Sequence, residues 1–153
     1  MVADLRVELL AEVSVDLEEP QNLGATPHGI RRIYYAKGGT FEGPKLKGEM
    51  LPGGGDWLLL RPDGVGELDV RATMRTDDGH FIYIYYRGIL HGPPEVMARM
   101  VQGEAIDPSE YYFRTAPVFE TASEKYSWLN RIVAVGVGRV TPNRVGYTVY
   151  AIL

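Results

Sequence analysis

The chain has 153 residues, 45% of them hydrophobic and 24% charged, which is typical of one globular domain spanning residues 1–153. Its net charge of −4 and its scattered basic residues argue against nucleic-acid binding. No apolar run is long enough to span a membrane, and the first residues carry no signal-peptide pattern, so we expect a cytoplasmic protein. The absence of cysteine excludes disulfides, thiolate metal sites and a cysteine nucleophile.

Most of the chain alternates apolar and polar residues with a period of two, which favours β-strands. These segments are rich in Val, Ile, Tyr and Phe, and Gly, Pro and Asp separate them. The predicted strands are 6–15, 29–36, 39–51, 57–61, 67–76, 80–90, 109–121, 126–138 and 145–153. One short helix is predicted over residues 94–102, where apolar residues recur at helical spacing between Pro93 and Gly103.

Eight or nine antiparallel strands with one short helix can form either a sandwich or a closed barrel. The final strand ends in the apolar sequence YAIL, which would be an exposed edge in a sandwich. Closure removes edge strands. We therefore predict an all-β fold, a single antiparallel closed β-barrel of about eight strands, with the helix across one mouth.

The sequence LDVRATMRTDDGHFIYIYYRG, residues 68–88, predicts a hairpin. The Asp-Gly dipeptide at 78–79 is the strongest turn signal in the chain, because glycine accepts a positive φ. A loop centred on this dipeptide pairs Arg71 with Tyr86. Asp69 and Arg71 then lie on the same face of the hairpin as Tyr86.

Two interpretations of this face stay open. If the face is exposed to solvent, Asp69 and Arg71 are ordinary surface charges. If it points inward, Arg71 binds an anionic ligand, and Asp69 partly offsets the cost of burying the arginine. The outward face would then be an apolar band that a partner subunit must cover, so this interpretation also predicts a homo-oligomer, with a dimer favoured.

The segment LPGGGDWLLL, residues 51–60, combines a glycine-rich corner with an acidic and an aromatic residue. Three glycines let the backbone turn sharply just before Asp56 and Trp57. Asp56 at a barrel mouth could act as a general base or acid, with Trp57 as an apolar wall that raises its pKa. In the alternative interpretation the corner is structural, and Asp56 accepts backbone N–H groups while Trp57 fills the core.

Later segments also combine aromatic and polar side chains. Tyr112 and Arg114 share one face of their strand and could bind a ligand. Asn130 lies close in sequence to Trp128 and could donate a hydrogen bond to a carbonyl or a developing oxyanion. Alternatively, Asn130 satisfies a backbone group at a barrel end. Tyr86 is one of ten tyrosines, of which one or two could donate a proton.

The chain lacks the common signatures of metal and nucleotide sites. The three histidines, His28, His80 and His91, lie far apart at loop-like positions, and no serine lies in a nucleophile-elbow sequence. The sequence GVGRVT follows a strand but lacks the third glycine and the helix of a dinucleotide-binding loop. We therefore predict neither a bound metal nor a cofactor.

Three blocks, GGTFEGPKLKGEMLPGGGDW, LDVRATMRTDDGHFIYIYYRG and YYFRTAPVFETASEKYSWLN, resemble the small bacterial proteins grouped as domain of unknown function 3237. The blocks occur in the same order and cover nearly the whole chain. The resemblance implies a barrel of allene-oxide-cyclase or lipocalin-like build that commonly self-associates, and it implies no established reaction. The blocks contain Asp56, Trp57, Asp69, Arg71 and Asn130, which favours the inward interpretation of the hairpin.

Three functions fit these observations. The first is a cofactor-independent enzyme of isomerase, cyclase or lyase type that transfers a proton on a small carbonyl or carboxylate compound inside the barrel. The second is a non-catalytic, lipocalin-like carrier of a small hydrophobic anion, and the third is an oligomeric structural protein. In the enzyme the predicted catalytic residues are Asp56, Arg71, Tyr86 and Asn130, and the predicted substrate-binding residues are Trp57, Asp69, Tyr112, Arg114 and Trp128.

The side chains that line the barrel interior distinguish these three functions. Two or more titratable groups that converge on one cavity favour the enzyme, whereas an apolar interior with a single polar anchor favours the carrier. A solidly packed interior favours the structural protein.

Overall fold

The computed structural model describes the whole chain, residues 1–153. It contains eleven strands, one α-helix and two short 3₁₀ helices. In chain order they are β1 (Val7–Leu17), β2 (Gln21–Thr26), β3 (Gly29–Glu42), β4 (Lys47–Met50), β5 (Gly55–Leu60), β6 (Gly66–Thr76), β7 (Phe81–His91), α1 (Pro94–Val101), a 3₁₀ helix (Pro108–Glu110), β8 (Tyr112–Thr115), β9 (Val118–Glu120), a second 3₁₀ helix (Ser127–Arg131), β10 (Ala134–Thr141) and β11 (Arg144–Ile152). Neither α1 nor any other helix has the length and apolar character needed to cross a membrane.

Eight strands close into an antiparallel barrel in the order β1-β3-β5-β6-β7-β8-β10-β11, and the pairing of β11 with β1 completes the circle. The other three strands are additions to this ring. β2 pairs with β3, β4 lies beside β5 between β3 and β6, and β9 pairs with β7. The predicted all-β closed barrel of about eight strands is confirmed, and α1 matches the predicted helix to within one residue.

Two predicted strands are interrupted in the structure. Residues 126–138 begin with the 3₁₀ helix Ser127–Arg131, whose Leu129 is fully buried, and β10 starts only at Ala134. Residues 109–121 divide into β8 and β9 around Pro117, because proline has no N–H to donate to a ladder. β2 is an additional strand in a polar segment where the alternation predicts none.

The predicted register of the β6–β7 hairpin is wrong by one residue. The loop has three residues, 77–79, with Gly79 at a φ of +90°, instead of the two residues expected. Arg71 therefore pairs with Tyr85 and not with Tyr86. Because a shift of one residue moves the partner side chains to the other face, Arg71 is exposed on the outer face while Tyr86 is buried inside the barrel.

A bulge in β3 turns the first half of this strand toward the barrel interior. The register of β3 against β1 shifts by one residue over residues 36–38, so β3 carries one extra residue at this point. A bulge of this kind changes which side chains point inward. Phe41 points inward after the bulge, and Arg32 and Tyr34 point inward before it.

The barrel interior is solid toward one end and hollow toward the other. Phe41, Ile82 and Leu129 are at most 1% exposed and pack in the solid part. The hollow part lies beneath α1, and Met97 and Met100 of that helix contribute to its wall. A ligand inside the barrel must therefore occupy the end that α1 covers.

Candidate functional site

The hollow end of the barrel contains a cavity of about 400 Å³ with a mainly apolar lining. This volume lies within the range of small-molecule sites, roughly 300–1,000 Å³. Strand side chains form its walls, and α1, the β1–β2 connection and the β10–β11 turn surround its mouth. Four polar side chains that point into the barrel also contribute to its lining, and they are Arg32, Asp56, Tyr86 and Tyr147.

The glycine-rich corner before β5 positions Asp56. Gly53 has a φ of +98°, which glycine adopts without strain, and it turns the chain into β5. A Cβ atom on Gly54 would lie 2.7 Å from the carbonyl oxygen of Arg71, so only glycine allows β5 to approach β6 this closely. The glycine-rich corner therefore brings the start of β5 close to β6.

The carboxylate of Asp56 opens the ladder between β5 and β6. Pairing is regular up to Asp56–Val70 and resumes at Leu59–Glu67. Within this gap, Oδ1 of Asp56 accepts a hydrogen bond of 3.0 Å from the backbone N–H of Asp69. Asp56 also lines the cavity, so its other oxygen, Oδ2, is available to a ligand.

Burial raises the pKa of Asp56 from 3.8 to about 7. The negative charge of Asp69 raises this pKa further, whereas the hydrogen bond from the Asp69 N–H and the positive charge of Arg31 oppose the increase. Arg31 is held nearby, because its Nη1 donates to the carbonyl oxygen of Trp57 at 2.8 Å. Near neutral pH, Asp56 can therefore both accept and release a proton.

Tyr86 of β7 and Tyr147 of β11 are buried side chains that also line the cavity. Their rings pack edge to face with centroids 5.3 Å apart, and Phe113 packs against Tyr147 at 5.5 Å. Burial raises the pKa of both phenols above the usual value of 10, and the negative charge of Asp56 adds to this effect. Both hydroxyls therefore stay protonated at physiological pH and can serve as hydrogen-bond donors.

Arg32 is a cavity residue that the sequence did not indicate. Its Nε atom is buried and has no hydrogen-bond partner, and its guanidinium group forms no ion pair with a carboxylate. In GIRRIYYA, Arg31 and Arg32 lie on opposite faces of the strand, and each face also carries apolar residues. The alternation therefore does not reveal which arginine points inward, and the bulge in β3 decides it.

Two residues predicted in the pocket, Arg71 and Trp57, lie on the outer surface. The guanidinium of Arg71 lies 5.4 Å from the centre of the Tyr85 ring, and Trp57 packs edge-on against Tyr35 at 6.1 Å. Asp69 lies behind the cavity wall, and its Oδ1 is buried without a partner. The inward interpretation of Arg71 is therefore wrong, because it rested on the register that the three-residue loop corrects.

This correction also changes the argument for a partner subunit. Leu68 and Val70 of β6 are buried in the barrel interior and do not form an outer band, whereas the outer face of β7 exposes Phe81, Tyr83 and Ile89. A homo-oligomer stays a prediction, but the β6 residues of the apolar band from which it was derived point into the barrel.

Four further predicted residues lie outside the cavity. Tyr112 and Arg114 line an open groove of about 370 Å³ on the outer surface, with the guanidinium 5.1 Å from the Tyr112 ring centre. Trp128 is half-buried against the core, with Lys45 Nζ 5.5 Å above its ring. Asn130 is exposed, and its side chain forms two hydrogen bonds with the backbone of Thr121.

These two bonds use both ends of the Asn130 amide. Oδ1 accepts from the Thr121 N–H at 2.8 Å, and Nδ2 donates to the Thr121 carbonyl oxygen at 3.0 Å. This is the backbone-satisfying arrangement that the sequence left open as the alternative. Around the cavity and elsewhere, no three His, Cys, Asp or Glu side chains lie close enough to hold a metal ion.

A family model described as "Protein of unknown function (DUF3237)" matches residues 5–152. The chain belongs to this family. The resemblance indicated by the three sequence blocks is therefore confirmed.

Relatives of the same length support the fold. UPF0311 protein RPA1785 of Rhodopseudomonas palustris is 33% identical over 153 residues, which cover 100% of both chains. Its crystal structure has a TM-score of 0.96 and covers 99% of this chain and 100% of that one. A beta-barrel like protein from Acinetobacter baumannii AYE is 41% identical, with a TM-score of 0.88 and coverage of 100% and 99%.

A more distant solved structure is described as an enzyme from Penicillium herquei. It is 21% identical, with a TM-score of 0.74 and coverage of 100% of this chain and 98% of that one. At this identity the likeness shows a shared barrel fold.

Proposed function

We propose that this protein is a cofactor-independent enzyme that transfers a proton on a small carbonyl or carboxylate compound, as an isomerase, cyclase or lyase. The observation that carries the proposal is a carboxyl group, Asp56, with a pKa of about 7 in an apolar cavity of about 400 Å³. A group whose pKa lies near the working pH is the most effective general base or acid.

Asp56 is the proton-transfer group in this proposal. Its ionised Oδ2 removes a proton from a carbon next to the substrate carbonyl. The electron pair of that C–H bond forms a C=C bond, and the π electron pair of the carbonyl moves onto its oxygen to give an enolate. The protonated carboxyl then returns the proton to another carbon or to a leaving group. The hydrogen bond from the Asp69 N–H holds Oδ1 and so orients the carboxylate during both steps.

Tyr86 and Tyr147 stabilise the oxyanion that forms. Since their pKa values are raised, both phenols keep their protons and donate hydrogen bonds to the oxygen on which charge develops. This assignment gives Tyr86 a donor's role and not that of a base. The two tyrosines thus take the oxyanion-stabilising role predicted for Asn130, whose amide is hydrogen-bonded to the backbone of Thr121.

A carrier of small hydrophobic anions is the second candidate, and the apolar lining of the cavity supports it. The enzyme is favoured because several titratable groups, namely Asp56, Tyr86 and Tyr147, converge on one cavity. The shared fold of the Penicillium herquei enzyme is consistent with catalysis in such a barrel, although fold alone does not specify a reaction.

The test uses 5-nitrobenzisoxazole, a small aromatic compound that reports on any carboxylate base in an apolar site. Removal of its C–H proton breaks the ring N–O bond and yields a coloured cyanophenolate, so no other reactant is needed. Wild-type protein should accelerate this elimination with a rate that increases with pH and levels off above about 7. Asp56→Asn should abolish the acceleration while the folded barrel is retained.

Arg71→Ala serves as the control, because it removes a charged side chain from the outer surface. It should leave the rate unchanged. A wild-type rate equal to that of Asp56→Asn would contradict the assignment of Asp56 as a base and would leave the carrier as the better account.

A further inference from the structure

Arg32 is the one cationic side chain of the cavity wall that lacks an acidic partner. The other arginine at the cavity, Arg144, forms an ion pair with Asp16, with Nε 2.8 Å from the carboxylate. No carboxylate lies within ion-pair distance of Arg32, and its buried Nε has no acceptor. A partly buried cation without a partner destabilises the folded protein, so an unpaired arginine in a cavity points to a ligand as its partner.

We propose that Arg32 binds the anionic group of the ligand, and that the cavity is specific for apolar compounds bearing one carboxylate or a comparable oxyanion. The planar guanidinium group matches a carboxylate with two parallel hydrogen bonds. The inference rests on the proposed function insofar as it gives the substrate class of the same site. It does not depend on catalysis, because a carrier would use Arg32 in the same way.

The position of Arg32 in β3 suits a ligand that also reaches Asp56. Arg32 pairs with Leu58 of β5, and Tyr34, the next inward residue of β3, pairs with Asp56. Two inward positions of one strand are separated by about 7 Å. A compound of the size of the cavity can therefore bind Arg32 through its anionic end while its apolar body lies beside Asp56.

The other charged groups near the cavity do not neutralise the guanidinium charge of Arg32. Glu18, Glu19 and Glu104 lie at the mouth, but all three are exposed, so water and salt screen their charges. Asp56 is uncharged for part of the time near pH 7, and the arginine that acts on its pKa is Arg31. The interior therefore combines an unpaired guanidinium group with a carboxyl group that can be neutral, which permits an anion to enter.

The test compares two fluorescent probes that differ by a single anionic group. 8-Anilinonaphthalene-1-sulfonate carries a sulfonate, which stands in for a carboxylate, and N-phenyl-1-naphthylamine has the same aromatic body without it. In titrations, the wild type should bind the sulfonate probe more tightly than the neutral probe. Arg32→Met keeps the apolar stem of the side chain. It should lower the affinity for the sulfonate probe about 10- to 100-fold and leave the affinity for the neutral probe unchanged.

Three variants complete the experiment. Arg71→Met removes an arginine from the outer surface and should leave both affinities unchanged. Arg32→Lys keeps the positive charge without the planar group, so it should lower the affinity for the sulfonate probe less than Arg32→Met does. Arg32→Lys replaces Arg32→Met in the comparison if the methionine variant does not fold. Asp56→Asn should bind the sulfonate probe at least as tightly as the wild type, although it cannot transfer protons.

The outcomes separate this inference from the proposed function. An equal loss of both probes in Arg32→Met, an unchanged sulfonate affinity, or failure of both probes to bind the wild type would each overturn the assignment of Arg32. Selective loss of the sulfonate probe together with an inactive wild type would support the anion site and contradict the enzyme.

Discussion

Oδ1 of Asp56 accepts a hydrogen bond of 3.0 Å from the backbone N–H of Asp69, at the point where the β5–β6 ladder is interrupted. This contact places a carboxylate inside the barrel wall, where burial raises its pKa to about 7. The charge of the Asp69 carboxylate raises this pKa further. The gap in the ladder thus links the fold of the barrel to the chemistry that we propose for its cavity.

The first prediction concerns stability and pH. The folded protein holds the Asp56 proton more tightly than the unfolded chain does, because the pKa of Asp56 is about 7 in the folded state and near 3.8 in the unfolded chain. The stability that this proton contributes is complete below pH about 3.8 and is lost as the pH rises to about 7, an effect on the order of 4 kcal/mol.

Asp56→Asn should remove this pH dependence. An asparagine oxygen can still accept from the Asp69 N–H, so the variant should match the wild type near pH 4 and exceed its free energy of unfolding at pH 8. Urea denaturation of both proteins across this range would measure the difference. Parallel curves for the two proteins would contradict a raised pKa.

The second prediction concerns the effect of Asp69 on Asp56. The charge of Asp69 raises the pKa of Asp56, so Asp69→Asn should lower that pKa. The pH profile of 5-nitrobenzisoxazole elimination should then shift to lower pH, while the backbone N–H that orients Asp56 remains. Asp77→Asn, in the exposed hairpin loop, is the matched control and should not shift the profile.

The third prediction tests the faces of the β6–β7 hairpin. Arg71 is exposed, so Arg71→Ala should change the free energy of unfolding by no more than about 0.5 kcal/mol. Ile84 is 3% exposed in the core, so Ile84→Ala should cost about 2–5 kcal/mol. Chemical denaturation gives both values, and a large loss for Arg71→Ala would restore the register in which this arginine points inward.

The fourth prediction separates a structural from a catalytic role for Asn130. Its amide pairs with both backbone groups of Thr121, so Asn130→Ala should lower stability by about 1–3 kcal/mol. The elimination rate and the affinity of both fluorescent probes should stay unchanged, because Asn130 lies outside the cavity. A loss of rate in a variant that remains folded would return Asn130 to the site.

The sequence predicted the barrel because period-two alternation and the edge-strand problem both depend on local pattern. It also predicted Asp56 and Tyr86 as site residues, and the structure brings both to the cavity wall. The glycine corner before Asp56 is a local feature, so it is visible in the residues themselves.

The remaining site residues depend on features that local pattern does not specify. An Asp-Gly turn fits a two-residue or a three-residue loop, and that single residue decides whether Arg71 or its neighbours point inward. Arg32 points inward because of a bulge in β3, and although Gly38 lies at that bulge with a φ of +148°, a glycine alone does not specify an extra residue. Tyr147 is one of ten tyrosines, and only closure of β11 onto β1 and β10 places it near Tyr86.

The most direct test of the account is the pKa of Asp56 in the folded protein. Carbon-13 NMR of the aspartate side-chain carboxyls, titrated from pH 3 to pH 9, would follow each carboxyl, and the Asp56→Asn spectrum would identify the resonance of interest. We predict a midpoint of about 7 for Asp56. A midpoint near 3.8 would mean that the carboxylate is permanently ionised near neutral pH, and it would contradict the proposed proton transfer.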